Sequence, residues 1–389
     1  MESKPKEKKP KNADQDSSSD TDDHDHLLQG LPNHLTHLCL SRTNPSNLYS
    51  VCRSWRRLIY SPHFPPVFSL YAILSSTPSL LPDHDHDHDH HENQHDHQQN
   101  SIELYSLDPF SNSWKPLPPP PLPLHFLHNH PSFLSRKFPI QSLAVSRHGL
   151  VLIAGTDHRL LPALSAPLVF LPTTGQWLRG PPVLEPRRWC AVGSAGGSVY
   201  VASGIGCRYK GDVARSMEKW DMEEGKVWKW EKKASIRDGR FSREAIEMVT
   251  YKGKFCMVNV KGHAAKDGAV YDVERDVWEE MPAGMVAGWN GPAAATEEEE
   301  MYVVDESKGV LSKYNGGEDR WEKVVEAAEL KGAEQIAAGR GRVCAVCENG
   351  RRIAVVDVTA APATVRRVEP PRALPVVAVH ILPRMSNIC

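Results

Sequence analysis

One spacing recurs along most of this chain, with a tryptophan seven residues after a leucine or an aromatic residue. It occurs at Leu107–Trp114, Phe170–Trp177, Tyr271–Trp278 and Tyr314–Trp321, with Trp220–Trp228 as a variant at eight residues. Turn-forming residues such as Asp108, Pro109 and Gly175 lie between the two members. Each copy therefore predicts two short strands joined by a turn.

Two further strands precede each copy, for example 141–145 with 150–154 and 190–192 with 199–203. The tryptophans at 114, 177, 228, 278 and 321 lie between 43 and 63 residues apart, around the length of a four-stranded propeller blade. A sixth copy without a tryptophan spans 334–338, 343–346, 352–358 and 364–368. The pattern predicts a mainly β protein with a six-bladed β-propeller, with five or seven blades as the alternatives.

The two ends of this repeat region predict how the ring closes. The first blade (68–74, 102–107 and 113–116) lacks its innermost strand, whereas the last strand, within 375–383, has no blade of its own. Pairing them leaves no open edge in the ring. We therefore assign residues 65–383 to the propeller and 375–383 to a ring-closing strand.

Residues 27–64 show a helical period instead. Leu31, Leu35 and Leu38 lie on one helical face, and Asn44-Pro45 predicts the start of a second helix that runs to Ser61-Pro62. Such a pair is too short to sustain a core alone, so it is expected to pack on another surface. That surface belongs either to the rest of this chain or to a partner.

The same segment resembles the F-box. The resemblance lies in Leu31-Pro32-Asn33-His34-Leu35, Leu40-Ser41-Arg42 and the run Val51-Cys52-Arg53-Ser54-Trp55-Arg56-Arg57-Leu58. It implies that the segment binds the Skp adaptor and, through it, a cullin, as apolar helices fill a groove. The residues implied in adaptor binding are Leu31, Pro32, Leu35, Leu38, Val51, Trp55 and Leu58.

The tryptophan and glycine periodicity resembles the kelch repeat, although the expected Gly-Gly doublet is reduced to Gly155, Gly204-Ile205-Gly206 and Gly262. F-box and kelch together resemble the plant kelch-repeat F-box proteins of the Skp-interacting-partner type. This resemblance implies a substrate-recognition subunit of an SCF-type E3 ubiquitin ligase that marks its target for degradation. It implies a protein substrate, with a phenylpropanoid or flavonoid pathway enzyme as the expected class.

Arginines and aromatic residues cluster where one predicted blade leads into the next, a composition typical of binding hot spots. Loops on one face of a rigid propeller commonly carry its binding function. The alternative is that these side chains brace neighbouring blades. The candidate substrate-binding residues are Arg187, Arg188, Trp189, Arg237, Arg240, Phe241, Arg243, Trp289 and Asn290.

Three further features predict no additional site. Residues 1–26 are polar and predict a disordered tail. The His/Asp-rich tract 83–97 could gather metal ions, but a polar loop insertion within the first blade is the favoured interpretation. Cys344 and Cys347 have metal-like spacing without a second ligand pair, which favours buried thiols. We expect neither a metal nor a cofactor.

Composition narrows the function class. A net charge of −2 lacks the basic excess of nucleic-acid-binding proteins, and no apolar run is long enough for a membrane span. Eight scattered cysteines without a signal peptide suggest the cytoplasm, the nucleus or both. No catalytic motif is present, which favours a non-catalytic adaptor. The alternatives are a propeller enzyme or small-molecule-binding protein whose F-box only controls turnover, and an F-box protein in a non-ligase scaffold.

Overall fold

A computed structural model describes residues 27–28, 30–43, 45–61, 64, 67–75, 102–122, 140–146, 148–157, 159–207, 211–223, 227–237, 246–259, 267–297, 299–372 and 374–385. The chain divides into two compact units, residues 1–65 and residues 66–389. The first is helical and the second is almost entirely β. The tract 83–97 and the tail 1–26 lie outside the described residues.

The helical unit contains three helices, α1 (Asn33–Ser41), α2 (Pro45–Val51) and α3 (Arg53–Ile59). The single second helix predicted from Pro45 onward is wrong, because Cys52 has an extended backbone with φ of −155°. Its Sγ accepts a hydrogen bond from the Trp55 backbone N–H at 3.5 Å and so caps the start of α3. Asn44, which with Pro45 predicts the start of the second helix, lies outside the described residues.

The core of this unit is small. The Trp55 indole N–H donates to the Leu27 carbonyl at 2.9 Å, which ties the start of the segment to α3. Tyr49 and Tyr60 meet edge to face at 6.3 Å, which joins α2 to the end of α3. The buried side chains are Thr36, Leu40, Leu48, Leu58, Ile59 and Phe64.

The second unit is a six-bladed β-propeller, as the sequence predicted, with four antiparallel strands in each blade. Blade 1 contains β1 (Phe68–Ser75), β2 (Ile102–Asp108) and β3 (Ser113–Pro116). Blade 2 contains β4 (Ile140–Val145), β5 (Gly149–Gly155), β6 (Leu168–Leu171) and β7 (Gln176–Arg179). The short strand β8 (Arg187–Arg188) precedes blade 3. Blade 3 contains β9 (Ala191–Ala195), β10 (Ser198–Ala202), β12 (Met217–Asp221) and β13 (Trp230–Lys233). The short strand β11 (Ile205–Gly206) and helix α4 (Gly211–Arg215) lie between β10 and β12.

Blade 4 contains β14 (Ile246–Tyr251), β15 (Lys254–Asn259), β16 (Gly268–Asp272) and β17 (Val277–Glu280), followed by α5 (Ala283–Gly288). Blade 5 contains β18 (Ala293–Ala295), β19 (Met301–Asp305), β20 (Val310–Asn315) and β21 (Arg320–Glu326). After a 3₁₀ turn at Ala328–Leu330, blade 6 contains β22 (Ala333–Gly339), β23 (Arg342–Cys347), β24 (Arg352–Asp357) and β25 (Thr364–Val368). The last strand, β26 (Val376–Pro383), returns to blade 1.

Strand β26 takes the innermost position of blade 1, antiparallel to β1, with Leu70 opposite Ile381. The Arg384 backbone N–H donates to the Val67 carbonyl, and its guanidinium lies 3.8 Å from the buried Asp108 carboxylate. The ring is therefore closed by strands from opposite ends of the propeller sequence.

Six hydrophobic cores hold the blades together, one at each boundary. In β1, for example, Tyr71 and Ile73 pack toward blade 2, whereas Leu70 and Leu74 pack toward blade 6. This two-residue alternation is the normal consequence of strand geometry. Each blade consequently buries one strand face against each neighbour, which makes the ring a continuous packed structure.

The repeated tryptophans connect neighbouring blades. Each faces the leucine or aromatic residue across its hairpin, and its indole N–H donates to a carbonyl that follows the outer strand of the preceding blade. In blade 3 this residue is Trp230, paired with Trp220, so the sequence assignment to Trp228 was wrong. The donor–acceptor pairs are Trp114–Glu369, Trp177–Pro118, Trp230–Pro181, Trp278–Ala234 and Trp321–Met285, at 2.8 to 3.0 Å.

Candidate functional sites

Helix α1 leaves two of its three leucines exposed. At about 100° per residue, Leu35 and Leu38 share one side of α1, while Thr36 and Leu40 share the opposite side. The buried pair is Thr36 and Leu40, whereas Leu38 is 54% exposed. A lone amphipathic helix normally buries its larger apolar side chains. Leu35 and Leu38 therefore form an exposed apolar surface on the described part of the helical unit.

The residues predicted to bind the adaptor fall into two groups. Leu31, Pro32, Leu35, Leu38 and Val51 are exposed, and we call them the apolar set. Trp55 is half-buried and donates to Leu27, while Leu58 is only 4% exposed. Leu58 therefore contributes to the core of the helical unit, and its assignment to an exposed binding surface is corrected.

Arg187, a candidate for substrate binding, lies on β8 and is buried against blade 3. It forms an ion pair with Glu218, both side chains being 2% exposed, and donates to the Ser203 carbonyl at 3.1 Å and to Ser216 Oγ at 2.9 Å. The second oxygen of Glu218 accepts the Leu184 N–H at 3.1 Å. A buried ion pair with its hydrogen bonds satisfied braces the blade and is not available to a partner.

Arg188, Trp189 and Trp289 are also buried, which corrects their assignment to the binding surface. Arg188 lies on β8, which pairs with β11, and its guanidinium stacks on Trp189 at 4.8 Å. Gly204 permits this close pairing, because a Cβ there would lie 2.7 Å from the Arg188 carbonyl oxygen. Trp289 donates its indole N–H to Glu247 at 3.4 Å.

Two of the candidate substrate-binding residues are exposed on connections between blades. Arg237 follows blade 3 and Asn290 precedes blade 5. Both connections run from an outer strand to the next inner strand, so they emerge on the same face of the ring. The remaining candidates, Arg240, Phe241 and Arg243, lie outside the described residues.

The inner strands surround a central channel with a volume of about 1000 Å³. Small residues form much of its wall, including the run Ala293–Ala295 of β18 and Ala337–Gly339 of β22. Because short side chains leave the middle of the ring unfilled, they account for this volume. The channel is not among the features predicted from the sequence, although the small residues on the innermost strands are a signal for it.

Polar contacts join each inner strand or its turn to the next around the channel. Blades 1 and 2 are joined by His380 Nε2 and Ser142 Oγ at 2.9 Å. Glu247 of blade 4 accepts the Ala293 N–H of blade 5 at 2.9 Å. Blades 2 and 3 are joined by the hydrogen bond from Ser194 Oγ to the Ala144 carbonyl, and blades 3 and 4 by the one from Thr250 Oγ1 to the Ser194 carbonyl. Blades 5 and 6 are joined by the ion pair of Arg340 with Glu297, and blades 6 and 1 by the hydrogen bonds between Gln335 and the Val379 backbone.

Glu297 makes contacts across one end of this channel. Its Oε1 accepts from Ser146 Oγ of blade 2 at 2.8 Å, and its Oε2 lies 3.0 Å from Arg340 Nη2 of blade 6. Arg340 also stacks on Phe68 of blade 1 at 4.3 Å. Because blades 2 and 5 face each other across the ring, the Ser146 contact crosses the mouth of the channel.

The two cysteines with metal-like spacing lie on opposite faces of β23. Cys344 packs in the core between blades 6 and 1, and Cys347 in the core between blades 5 and 6. Burial raises the pKa of Cys344 to about 12 and that of Cys347 to about 11, which keeps both as thiols. Within the described residues, no group of three or more His, Cys, Asp or Glu side chains could hold a metal ion. The described helices are too short or too polar to cross a membrane.

Comparison with known proteins identifies the family. The chain is 46% identical to "F-box/kelch-repeat protein SKIP25" of Arabidopsis thaliana over 377 residues, covering 93% of this chain and 91% of that protein. The same plant has "F-box protein AFR", 26% identical with 72% and 68% coverage, and "F-box/kelch-repeat protein At1g22040", 24% identical with 77% and 71% coverage.

No protein-family model matches the sequence. Among solved structures, "Structure of YjhT" is similar at a TM-score of 0.45 and 11% identity, over 69% of this chain and 94% of that one. The identity to the Arabidopsis relative over nearly the full length of both chains is the decisive finding. The chain belongs to the plant F-box/kelch-repeat proteins.

Proposed function

We propose that this protein is the substrate-recognition subunit of an SCF-type E3 ubiquitin ligase. Its helical unit binds the Skp adaptor, and its propeller binds a protein target for ubiquitination and degradation. The outward position of Leu35 and Leu38 on α1, with Leu31 exposed just before the helix, carries the proposal, because exposed apolar side chains that lie together commonly mark a binding surface. Membership of the F-box/kelch-repeat family supports it.

The target is expected on the face of the ring that carries the connections between blades. Arg237 and Asn290 are the exposed candidates there, and both lie on connections between rigid sheets. A rigid scaffold lowers the entropy lost when its loops bind a partner. Arg187, Arg188, Trp189 and Trp289 support this face from beneath without being exposed on it.

The proposed mechanism is a gain in effective concentration. Adaptor, cullin and target are held in one assembly, so the transfer of ubiquitin to a target lysine becomes a local event. The chain forms no covalent bond itself. A phenylpropanoid or flavonoid pathway enzyme stays the proposed target class, and the cytoplasm, the nucleus or both stay the proposed location.

The adaptor assignment is tested with Leu35→Ala/Leu38→Ala in the full-length protein. Both side chains are 40% exposed or more, so the fold should be retained while Skp binding weakens at least tenfold, on the order of 1 kcal/mol or more per leucine. Asn33→Ala/His34→Ala, also exposed on α1, is the matched control and should bind normally. Binding is measured by calorimetry with a purified Skp adaptor. Wild-type affinity in the leucine variant would rule out α1 as the adaptor surface.

A further inference from the structure

The central channel contains a buried polar side chain with an unused hydrogen-bonding atom. His380 lies on β26, is 6% exposed and lines the channel. Its Nε2 is 2.9 Å from Ser142 Oγ, whereas its Nδ1 makes no hydrogen bond to any described residue. A polar atom bordering an internal space is satisfied only by water or by a ligand. Among the described residues of the wall, His380 is therefore one point at which a ligand can be held.

Three other polar side chains of the wall are engaged within the protein. Gln335 is joined to the Val379 backbone, Thr250 to the Ser194 carbonyl, and Arg340 to Glu297. The walls also carry many small and apolar residues, such as Leu143, Val192 and Ile381. A ligand would thus make a specific polar contact with His380 and contact apolar surface elsewhere, the composition common to small-molecule sites.

The charges of the lining limit the ligand further. The described wall contains three carboxylates, Glu247, Glu297 and Glu299, against the single guanidinium of Arg340. An anion would meet repulsion without a free cation to pair with. Burial lowers the pKa of His380 to about 4, so its ring is neutral at pH 7 and can exchange a hydrogen bond with an uncharged group.

We propose that the central channel binds a small uncharged molecule with a largely apolar body and one hydroxyl or carbonyl group, held by a hydrogen bond to His380 Nδ1. The channel volume of about 1000 Å³ lies at the upper end of the range for small-molecule sites. This site involves neither the apolar set nor the exposed candidates Arg237 and Asn290. It would add a ligand-binding activity to the proposed adaptor role, and each could fail without the other.

The test uses a matched pair of fluorescent probes, 1-hydroxypyrene and 1-methylpyrene, with the purified full-length protein. The two share an apolar body and differ by one hydroxyl group. Fluorescence polarisation should show saturable binding of 1-hydroxypyrene, about fivefold to tenfold tighter than 1-methylpyrene, the effect of one net hydrogen bond. Absence of saturable binding by both probes, or equal affinity for the two, would overturn the proposal.

Two variants locate the hydrogen bond. His380→Phe keeps an aromatic ring but removes both ring nitrogens, so it should bind the two probes equally. Thr250→Val, the control, removes a hydroxyl elsewhere in the channel wall and leaves His380 with its Ser142 contact in place, so it should keep the preference for 1-hydroxypyrene. A preference that persists in His380→Phe would contradict the assignment.

A measurement on the wild-type protein avoids dependence on how the variants fold. With ¹⁵N-labelled histidine, addition of 1-hydroxypyrene should shift the Nδ1 resonance of His380, while 1-methylpyrene should leave that resonance nearly unchanged. An unshifted Nδ1 resonance at saturating 1-hydroxypyrene would place any bound probe elsewhere and would overturn the proposal.

Discussion

Leu38 and Leu58 belong to the same helical unit but contribute to different properties of the protein. Leu58 is 4% exposed inside the unit, whereas Leu38 is more than half exposed. The sequence placed both in the adaptor-binding group, because the F-box pattern contains residues of both kinds. Spacing alone indicates which residues share a helix face, but not whether that face is covered by the same chain.

Substitution of these two leucines should separate stability from binding. Leu58→Ala removes a buried side chain and should destabilise the helical unit by about 2 to 4 kcal/mol. Leu38→Ala should cost about 0.5 kcal/mol or less, because its side chain is largely in water. Hydrogen exchange of the α1–α3 amides in the full-length protein measures both effects. Equal protection in the two variants would show that Leu58 is not part of a cooperative core.

His380 predicts a pH dependence of propeller stability. Its pKa of about 4 in the folded protein lies below the usual value of about 6.5 in an unfolded chain. Between these values the unfolded chain binds more protons, so the stability from this residue is present above pH 6.5 and is lost as pH falls toward 4. At pH 5 the loss relative to pH 7 should be about 2 kcal/mol.

The variant His380→Phe isolates this contribution, because it cannot be protonated. Urea unfolding at pH 7 and pH 5 should show the wild type losing about 2 kcal/mol more than the variant over this interval. An identical pH dependence in the two proteins would show that His380 is protonated without penalty in the folded propeller.

At the scale of the strands, the tryptophan repeat was interpreted correctly in four blades and incorrectly in blade 3. Trp114, Trp177, Trp278 and Trp321 each lie seven residues after their partner, but the longer hairpin of blade 3 places the equivalent residue at Trp230. Trp228 fitted the expected spacing better but is 39% exposed. The tryptophan that connects two blades is the one paired across the hairpin, and this pairing depends on hairpin length. Spacing in the sequence only approximates the pairing.

The two tryptophans of blade 3 provide a matched comparison. Trp230→Phe leaves the buried Pro181 carbonyl without its indole donor and loses packing volume, so it should destabilise the propeller by about 1 to 3 kcal/mol. Trp228→Phe should change stability by about 0.5 kcal/mol or less. Thermal and urea unfolding of both variants measure the difference. A larger loss for Trp228→Phe would reverse the assignment of the repeat.

The helical elements were the hardest to predict. The interruption at Cys52 depends on a local backbone conformation and a thiol cap, neither of which changes the apolar period of the surrounding sequence. The helices α4 and α5 lie in connections that carry no strong helical pattern. Buried residues in these connections, such as Trp289, resembled surface hot spots because arginine and aromatic residues serve both roles.

For the whole molecule, the closed ring is predictable from the sequence for two reasons. The repeats have similar lengths, and the first blade lacks one strand while the last strand of the propeller has no blade of its own. The channel was not predicted, since its volume depends on how six inner strands meet around an axis. Contacts between residues distant in sequence, such as Ser146 with Glu297, arise only once the ring has closed.

Removal of residues 374–389 should disrupt the propeller far more than trimming a terminus would. The truncation deletes β26, leaves β1 without its inner partner and exposes the core between blades 6 and 1. We expect aggregation or general protease sensitivity of the propeller, whereas removal of 386–389 alone, the control, should have little effect. Limited proteolysis and light scattering test this. A soluble protein that melts at the wild-type temperature without β26 would contradict the closure.

The central claim is that the helical unit binds the Skp adaptor while the propeller binds the target. Quantitative affinity purification from plant cells tests it most directly. Wild-type protein and Leu35→Ala/Leu38→Ala are compared, with abundance of the captured proteins measured in parallel. The wild type should recover the Skp adaptor, a cullin and a client; the variant should lose adaptor and cullin, keep the client, and let that client accumulate. Equal recovery of adaptor and cullin by the variant, or a client whose abundance does not respond, would contradict the proposed adaptor function.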